Sequence, residues 1–181
     1  MKLSGNDRLP AEERRKWILD KLKSLGAPMT GKELGELTNV SRQVIVGDIT
    51  LLKAKEEPII ATSQGYLYLS EQNGPNKIEK TFVCKHASEK TEDELNIMVD
   101  HGLTVKDVRI EHPVYGDLSA SIMVSNRQEV KDFIRRIDTA NAVYLSKLAE
   151  GGIHMHTVLS DNEKQIADAE QALKNAGILL E

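Results

Sequence analysis

The stretch TGKELGELTNVSRQVIVGDITLLK, residues 30–53, decides the architecture of the first half of the chain. Thr30 followed three positions later by Glu33 is a capping-box pattern that starts a helix, and that helix would bury Leu34 and Leu37. Thr38-Asn39-Val40 leaves room only for a tight turn, and Ser41 is the N-cap of the next helix. Ile45, Ile49 and Leu52 recur at i, i+4 and i+7, a buried helical stripe, and Pro58 ends the pattern. Upstream, Pro10 opens a helix whose apolar face takes Trp17, Ile18, Leu22 and Leu25 before Gly26 stops it. Downstream, residues 59–62 and 66–69 read as strands joined through Ser63-Gln64-Gly65. Three helices followed by a hairpin are the parts of a winged helix-turn-helix.

In such a module the start of the second helix of the pair enters the major groove. Here that start is Ser41, Arg42 and Gln43. Arginine forks onto guanine and glutamine onto adenine, and serine at a helix N-terminus can hold a phosphate. Opposite the buried stripe, Gln43, Val46, Gly47, Thr50 and Lys53 face outward, so Ser41, Arg42, Gln43, Thr50 and Lys53 are the candidate DNA contacts. Gly47 costs about 1 kcal/mol of helix stability against alanine, and its bare backbone would allow close approach to DNA. The same three-helix module can also serve as a protein-binding or dimerisation platform; the capped start and polar outer face of this helix favour DNA.

Composition agrees with a two-part regulator. The 181 residues suffice for one ordinary domain or two small ones, and 40% hydrophobic with 29% charged residues fits a globular chain with a core. Aromatics make up 4%, so aliphatic packing must carry that core. A net charge of −4 excludes a uniformly basic nucleic-acid binder, yet the charge is uneven. Residues 1–70 hold 11 Lys and Arg against 9 Asp and Glu, and the remainder holds 13 against 19. That sign suits a DNA reader joined to an acidic sensor. No stretch is apolar for long enough to span a bilayer, and MKLSGNDRLPAEERRK has no apolar run behind its charges, so neither an anchor nor a secretory signal is expected. A single cysteine, Cys84, excludes a disulfide framework and points to a cytoplasmic protein. Within Thr81-Phe82-Val83-Cys84 it reads as a packed strand residue.

The polar, breaker-rich segment Glu71-Gln72-Asn73-Gly74-Pro75-Asn76 separates two differently patterned halves. The expected domains are therefore 1–72, the winged helix-turn-helix, and 77–181, an α+β sensor domain with a largely antiparallel sheet and helices on one face. Its expected parts are a strand at 81–85, a helix from Thr91 to Gly102, alternating strands through Val108, Ile110 and His112 and through Leu118, Ala120, Ile122 and Val124, and a helix capped by Asn126 with Val130, Phe133, Ile134 and Ile137 on one face. A strand at 153–159 and a last helix carrying Ile166, Ala169, Leu173 and Ala176 complete it.

Three of the five histidines are placed suggestively. His154 and His156 alternate on a strand, so both imidazoles project from one face. His86 ends the first strand of the domain, and Glu94 lies in the first turn of the following helix. Three imidazoles and a carboxylate suit a borderline divalent ion such as Zn²⁺ or Ni²⁺. Spacing alone does not choose between that site and half-buried, hydrogen-bonded histidines, with Glu94 engaged in a capping box with Thr91.

The pattern Leu34-Gly35-Glu36-Leu37 … Val40-Ser41-Arg42 … Ile45 … Asp48-Ile49 … Leu51-Leu52 … Gly65-Tyr66 resembles the N-terminal DNA-binding domain of biotin-operon repressors over about residues 8–70. His86 … Glu94 with Gly152-x-His154-x-His156-Thr157 resembles the three-histidine (3H) domain. The two in this order resemble the NiaR-type family of niacin-responsive repressors over nearly the whole chain. That resemblance implies one divalent metal, nickel or zinc, held by His86, Glu94, His154 and His156. It also implies nicotinic acid as co-repressor and genes of niacin uptake and NAD synthesis as targets. A homodimer on a palindromic operator is the matching mechanism, and no enzymatic activity is expected. Residues contacting the effector are expected near the metal. His112, in His112-Pro113-Val114-Tyr115-Gly116, is either such a contact, a support for the metal site or a structural strand-end residue. His101 before Gly102 is expected to bind only the last helix carbonyls. Two other readings share the site. In one the metal itself is the signal. In the other a metalloenzyme carries a DNA-binding appendage, though no second carboxylate or imidazole stands at motif spacing to act as its base.

Overall fold

The computed structural model describes residues 9–69 and 77–180, and the expected linker, 71–76, lies outside them. The chain divides into two compact units, Met1–Gly74 and Pro75–Glu181. Both mix helix and sheet.

The first unit runs α1 (Ala11–Leu25), α2 (Gly31–Thr38), α3 (Arg42–Ala54), β1 (Ile59–Thr62) and β2 (Gly65–Tyr68). Its helix ends are set by the side chains that sequence singled out. Thr30 and Glu33 form a reciprocal capping box, Ser41 accepts from the Val44 N–H, and Gly26 and Asn39 close α1 and α2 in the left-handed conformation. The core joins Ile18 and Leu22 of α1 to Leu34, Ile45, Ile49, Leu52 and Ile59. Two expected core residues face solvent instead: Leu25 is 41% and Leu37 44% exposed. Thr38, at i+4 from Leu34, takes the inward place on α2 and donates its hydroxyl to the Leu34 carbonyl. Leu25 falls in the last turn of α1. The hairpin gains a third edge where Met29 and Tyr66 exchange backbone hydrogen bonds of 2.9 and 2.8 Å. A Cβ on Gly65 would come within 2.5 Å of the Met29 backbone, so glycine is required there.

The second unit runs β3 (Ile78–Lys85), α4 (Thr91–Asp100), β4 (Thr104–His112), β5 (Gly116–Val124), α5 (Arg127–Ala140), β6 (Ile153–Ser160) and α6 (Glu163–Asn175). Its four-stranded sheet has the order β3-β6-β4-β5, and every neighbouring pair is antiparallel. One face of the sheet, through Phe82, Cys84, Val105, Ile122, Val124 and Val158, packs on α4, α5 and α6. On α5 only Val130 is fully buried, with Phe133 and Ile134 partly covered. Ala176 lies past the end of α6 and is exposed. The late strand β6 inserts between β3 and β4, which places its residues at the centre of the sheet. Its register pairs His154 with Cys84 and His156 with Phe82. Among the described residues no helix is long and apolar enough to cross a membrane.

Candidate functional site

The insertion of β6 brings the histidines together. Residues alternate across a strand, so His154 and His156 face the helix layer with Phe82 and Cys84, and there they meet Glu94 from the first turn of α4. Glu94 is fully buried, and His154 and His156 are each 2% exposed. The Nε2 atom of His154 stands 3.2 Å from both Glu94 oxygens, that of His156 3.2 Å from Oε2, and that of His86 2.9 Å from Oε2. Donor atoms of His86, Glu94 and His154 all lie within 4.8 Å of one another. The capping box considered for Glu94 is absent: Thr91 makes no such bond, and its hydroxyl has no hydrogen-bond partner.

The far side of each ring settles what Nε2 can do. Nδ1 of His86, His154 and His156 lies 2.8, 2.9 and 2.8 Å from the carbonyls of Ala87, Gly152 and Asp107. A carbonyl only accepts, so each Nδ1 carries the proton and each neutral ring presents a bare lone pair at Nε2. Three such lone pairs converge on a buried carboxylate, which is repulsive unless a proton or a cation stands between them. His86 Nε2 makes the point locally: it is buried and has no hydrogen-bond partner despite its closeness to Glu94. Burial alone would raise the Glu94 pKa, but the positive charge of His156 in its protonated form and hydrogen bonds from all three rings hold it well below the usual carboxylate range. Burial would conversely lower His86 and His156, and Glu94 outweighs it to keep both above the ordinary histidine value. The pocket therefore favours added positive charge. Backbone-anchored imidazoles with one carboxylate form a donor set that suits a divalent transition metal. Cys84, fully buried beside this cluster, has its thiol pKa pushed far up by burial and by Glu94, so it is inert packing.

Beside the cluster a cavity of 430 Å³ opens against His86, lined among others by Ser146, Lys147, Gly151 and Gly152. In the first unit, Arg42, Gln43, Thr50 and Lys53 are exposed along α3. Ser41 uses its hydroxyl as the helix cap, and Thr50 donates its own to the Val46 carbonyl at 2.8 Å. Asp48, on the opposite face, is held by Arg14 through Nε at 2.6 Å and Nη2 at 3.3 Å, which locks α3 onto α1.

The chain matches the 3H domain over residues 79–181 and an HTH domain over residues 14–67. It is 52% identical to the transcription repressor NadR of Bacillus subtilis (strain 168) over 174 residues, 96% of each chain. It is 36% identical to the probable transcription repressor NiaR of Thermotoga maritima over 170 residues, 94% of this chain and 95% of that one. The chain belongs to the NadR/NiaR family of 3H-domain transcription repressors. The first relative is named a transcription repressor and the second a probable one, and this NadR/NiaR-family member is a regulator and not an enzyme.

Two residues of this 3H repressor acquire roles that its sequence did not announce. The register of β4 against both neighbours shifts between Val105 and Arg109, an irregularity that turns the Asp107 carbonyl onto His156 Nδ1. The Asp107 carboxylate then accepts the Thr157 N–H at 3.1 Å, and Arg109 lies 3.5 Å from it. Nothing local in the sequence marks a β-bulge around an aspartate. Gly152 has φ +72°, and a Cβ there would lie 2.9 Å from the His86 carbonyl oxygen, so the glycine of the motif lets the start of β6 close on His86. His112 stands apart from the cluster. Its Nδ1 accepts the N–H groups of Val114 and Tyr115 at 3.1 and 3.2 Å, which shapes the β4–β5 turn. His101 donates from Nδ1 to the Ile97 carbonyl at 2.7 Å in the last turn of α4.

Proposed function

We propose that this chain represses genes of niacin uptake and NAD synthesis as a cytoplasmic homodimer that reads operator DNA through α3. In this reading, one nickel or zinc ion is held by His86, Glu94, His154 and His156, and nicotinic acid bound beside it acts as co-repressor. The observation that carries the reading is the convergence of three Nε2 atoms on one buried carboxylate, a set that calls for added positive charge between its members. Three neutral imidazoles and one carboxylate leave a divalent ion net positive, which draws an anionic pyridine carboxylate. The 430 Å³ cavity at His86 falls within the range of about 300–1,000 Å³ typical of small-molecule sites. Lys147 on its wall supplies a second cation for the carboxylate.

Regulation requires that the acid prefer the DNA-competent state, and the coupling is then reciprocal. Titration calorimetry of nicotinic acid into the full chain, with and without a duplex selected by the protein, tests this. Operator DNA should tighten acid binding by about 5–150-fold, a coupling of about 1–3 kcal/mol, and metal-stripped protein should lose the acid. Equal acid affinity with and without DNA rules out the co-repressor. DNA affinity that follows the metal and ignores the acid would instead make the ion the signal.

A further inference from the structure

Two glycines of the helix-turn-helix stand in opposite situations. A Cβ on Gly35 would lie 2.7 Å from the Val40 carbonyl oxygen and 3.5 Å from the Arg42 nitrogen, so the turn between α2 and α3 closes only around glycine. A Cβ on Gly47 would meet nothing within 4 Å, and the residue lies in the middle of α3. Alanine fits there and would favour the helix. The fold gives no reason for Gly47.

Its neighbours on the same stripe are Gln43, Val46 and Thr50, at i, i+3 and i+7. Val46 is 37% exposed. The Thr50 hydroxyl donates to the helix's own Val46 carbonyl, so what Thr50 has left for a partner is its methyl and an oxygen that can only accept. The arginine at the head of the helix passes its stem beside Gly31, where a Cβ would lie 3.4 Å from Arg42 Cγ. Within the polar outer face of α3, Val46, Gly47 and Thr50 thus form a small apolar patch with a bare backbone at its centre and one amide, Gln43, at its edge. Among the base edges of the major groove, the thymine C5-methyl is the apolar group such a face meets, and glutamine pairs with adenine N6 and N7.

We propose that α3 reads A·T pairs by methyl contact: Val46 and Thr50 pack on thymine methyls, and Gly47 lets the helix sink far enough for them to reach. This rests on the assignment of α3 as the DNA-reading helix, and the test separates the two. The full chain, loaded with zinc and nicotinic acid, selects binding sites from a randomised duplex library. Each thymine of the selected site is then replaced by uracil, which lacks only the methyl. At one or two thymines in each half-site, uracil should weaken wild-type binding roughly fourfold, the effect of removing one buried methyl-sized group at about 0.8 kcal/mol. Val46→Ala should blunt that sensitivity. Gly47→Ala should weaken binding more than tenfold while its thermal midpoint holds or rises. Uracil tolerated at every position, or wild-type affinity in Gly47→Ala, overturns the methyl reading. If Arg42→Ala and Gln43→Ala then still alter selection, α3 remains the reading helix and only this inference falls. If they too leave selection unchanged, the assignment of α3 itself is wrong.

Discussion

Each unit of this protein buries ionisable side chains, and the two do so in opposite ways. In the first unit Asp48 receives Arg14 through two nitrogens, with Arg15 at 3.4 Å, and Arg14 donates a further bond to the Leu9 carbonyl. Two guanidiniums share one carboxylate and each group has its partner within the chain, so the network is closed and structural. In the second unit the carbonyls behind His86, His154 and His156 take the Nδ1 protons, so the positive charge that Glu94 needs must come from outside, as protons or a cation at Nε2. That network is open. The difference teaches that burial of charge alone does not mark a binding site; what marks it is a buried constellation that its own chain cannot complete.

The largest effect that would break this comparison is loss of the metal. Binding in structural zinc sites is worth about 10–16 kcal/mol, and a His154→Ala/His156→Ala variant should hold no ion by elemental analysis. It should also lose the thermal stabilisation that added zinc or nickel gives the wild type. Full occupancy in that variant would show that the open network is not where the ion sits.

Next in size is the closed network. Asp48→Ala leaves the Arg14 guanidinium buried without its counterion and should cost about 3–5 kcal/mol, measured by urea unfolding with and without metal. The loss should be the same in both, since no part of this pair belongs to the second unit. Replacing both partners, as in Arg14→Met/Asp48→Leu, should recover most of it. A loss that depended on metal would end the distinction drawn between the two networks.

A smaller effect sharpens the comparison at the ring supports. The Asp107 carbonyl orients His156 and its carboxylate holds the adjacent Thr157 N–H. Removing such outer partners typically costs about 10–100-fold in metal affinity; Asp107→Ala keeps the carbonyl on His156 and removes only the Thr157 contact that holds the bulge in place, so it should weaken metal binding by no more than the lower end of that range. Asp107→Asn, which keeps an acceptor, should restore most of it. An unaltered metal affinity in Asp107→Ala would leave the bulge as mere strand irregularity.

What sequence could and could not reveal follows the distance over which each feature is determined. The helix starts at Thr30, Ser41 and Asn126 are written in the few residues around them, and the structure places caps at all three. The shared face of His154 and His156 needs only the period of a strand. Their meeting with His86 and Glu94 was suggested by the order of elements, but it depends on β6 slotting between β3 and β4, which no local pattern states. The Arg14–Asp48 pair spans 34 positions and the Asp107–Thr157 bond 50, so neither leaves a periodic trace. Leu25, Leu37 and Ala176 fit the apolar stripes of their helices and still face solvent, because a stripe tells where a core could lie and not where the neighbouring element stops.

The smallest effect concerns protons, and its sign separates an open network from a filled one. Without metal, Glu94 holds the pKa values of His86 and His156 above the ordinary histidine value of about 6.5. Folding then takes up protons near neutrality. This contribution to stability is fully present below the unfolded histidine pKa and is lost as pH rises through the higher folded values. Glu94 works the other way: its lowered pKa contributes stability above the ordinary carboxylate range, lost only as strong acid protonates it. Between those limits the metal-free second unit should melt at a higher temperature at about pH 6 than at about pH 8. A bound ion reverses the slope. It requires all three Nε2 atoms bare, so binding releases the same protons, and metal-dependent stabilisation should fall as pH drops from 8 to 6. Thermal melts of the full chain at the two pH values, with a chelator and with added zinc, should therefore shift in opposite directions. Parallel shifts would mean that protons and cation do not compete for the same three nitrogens, and the network around Glu94 would have to be counted as closed after all.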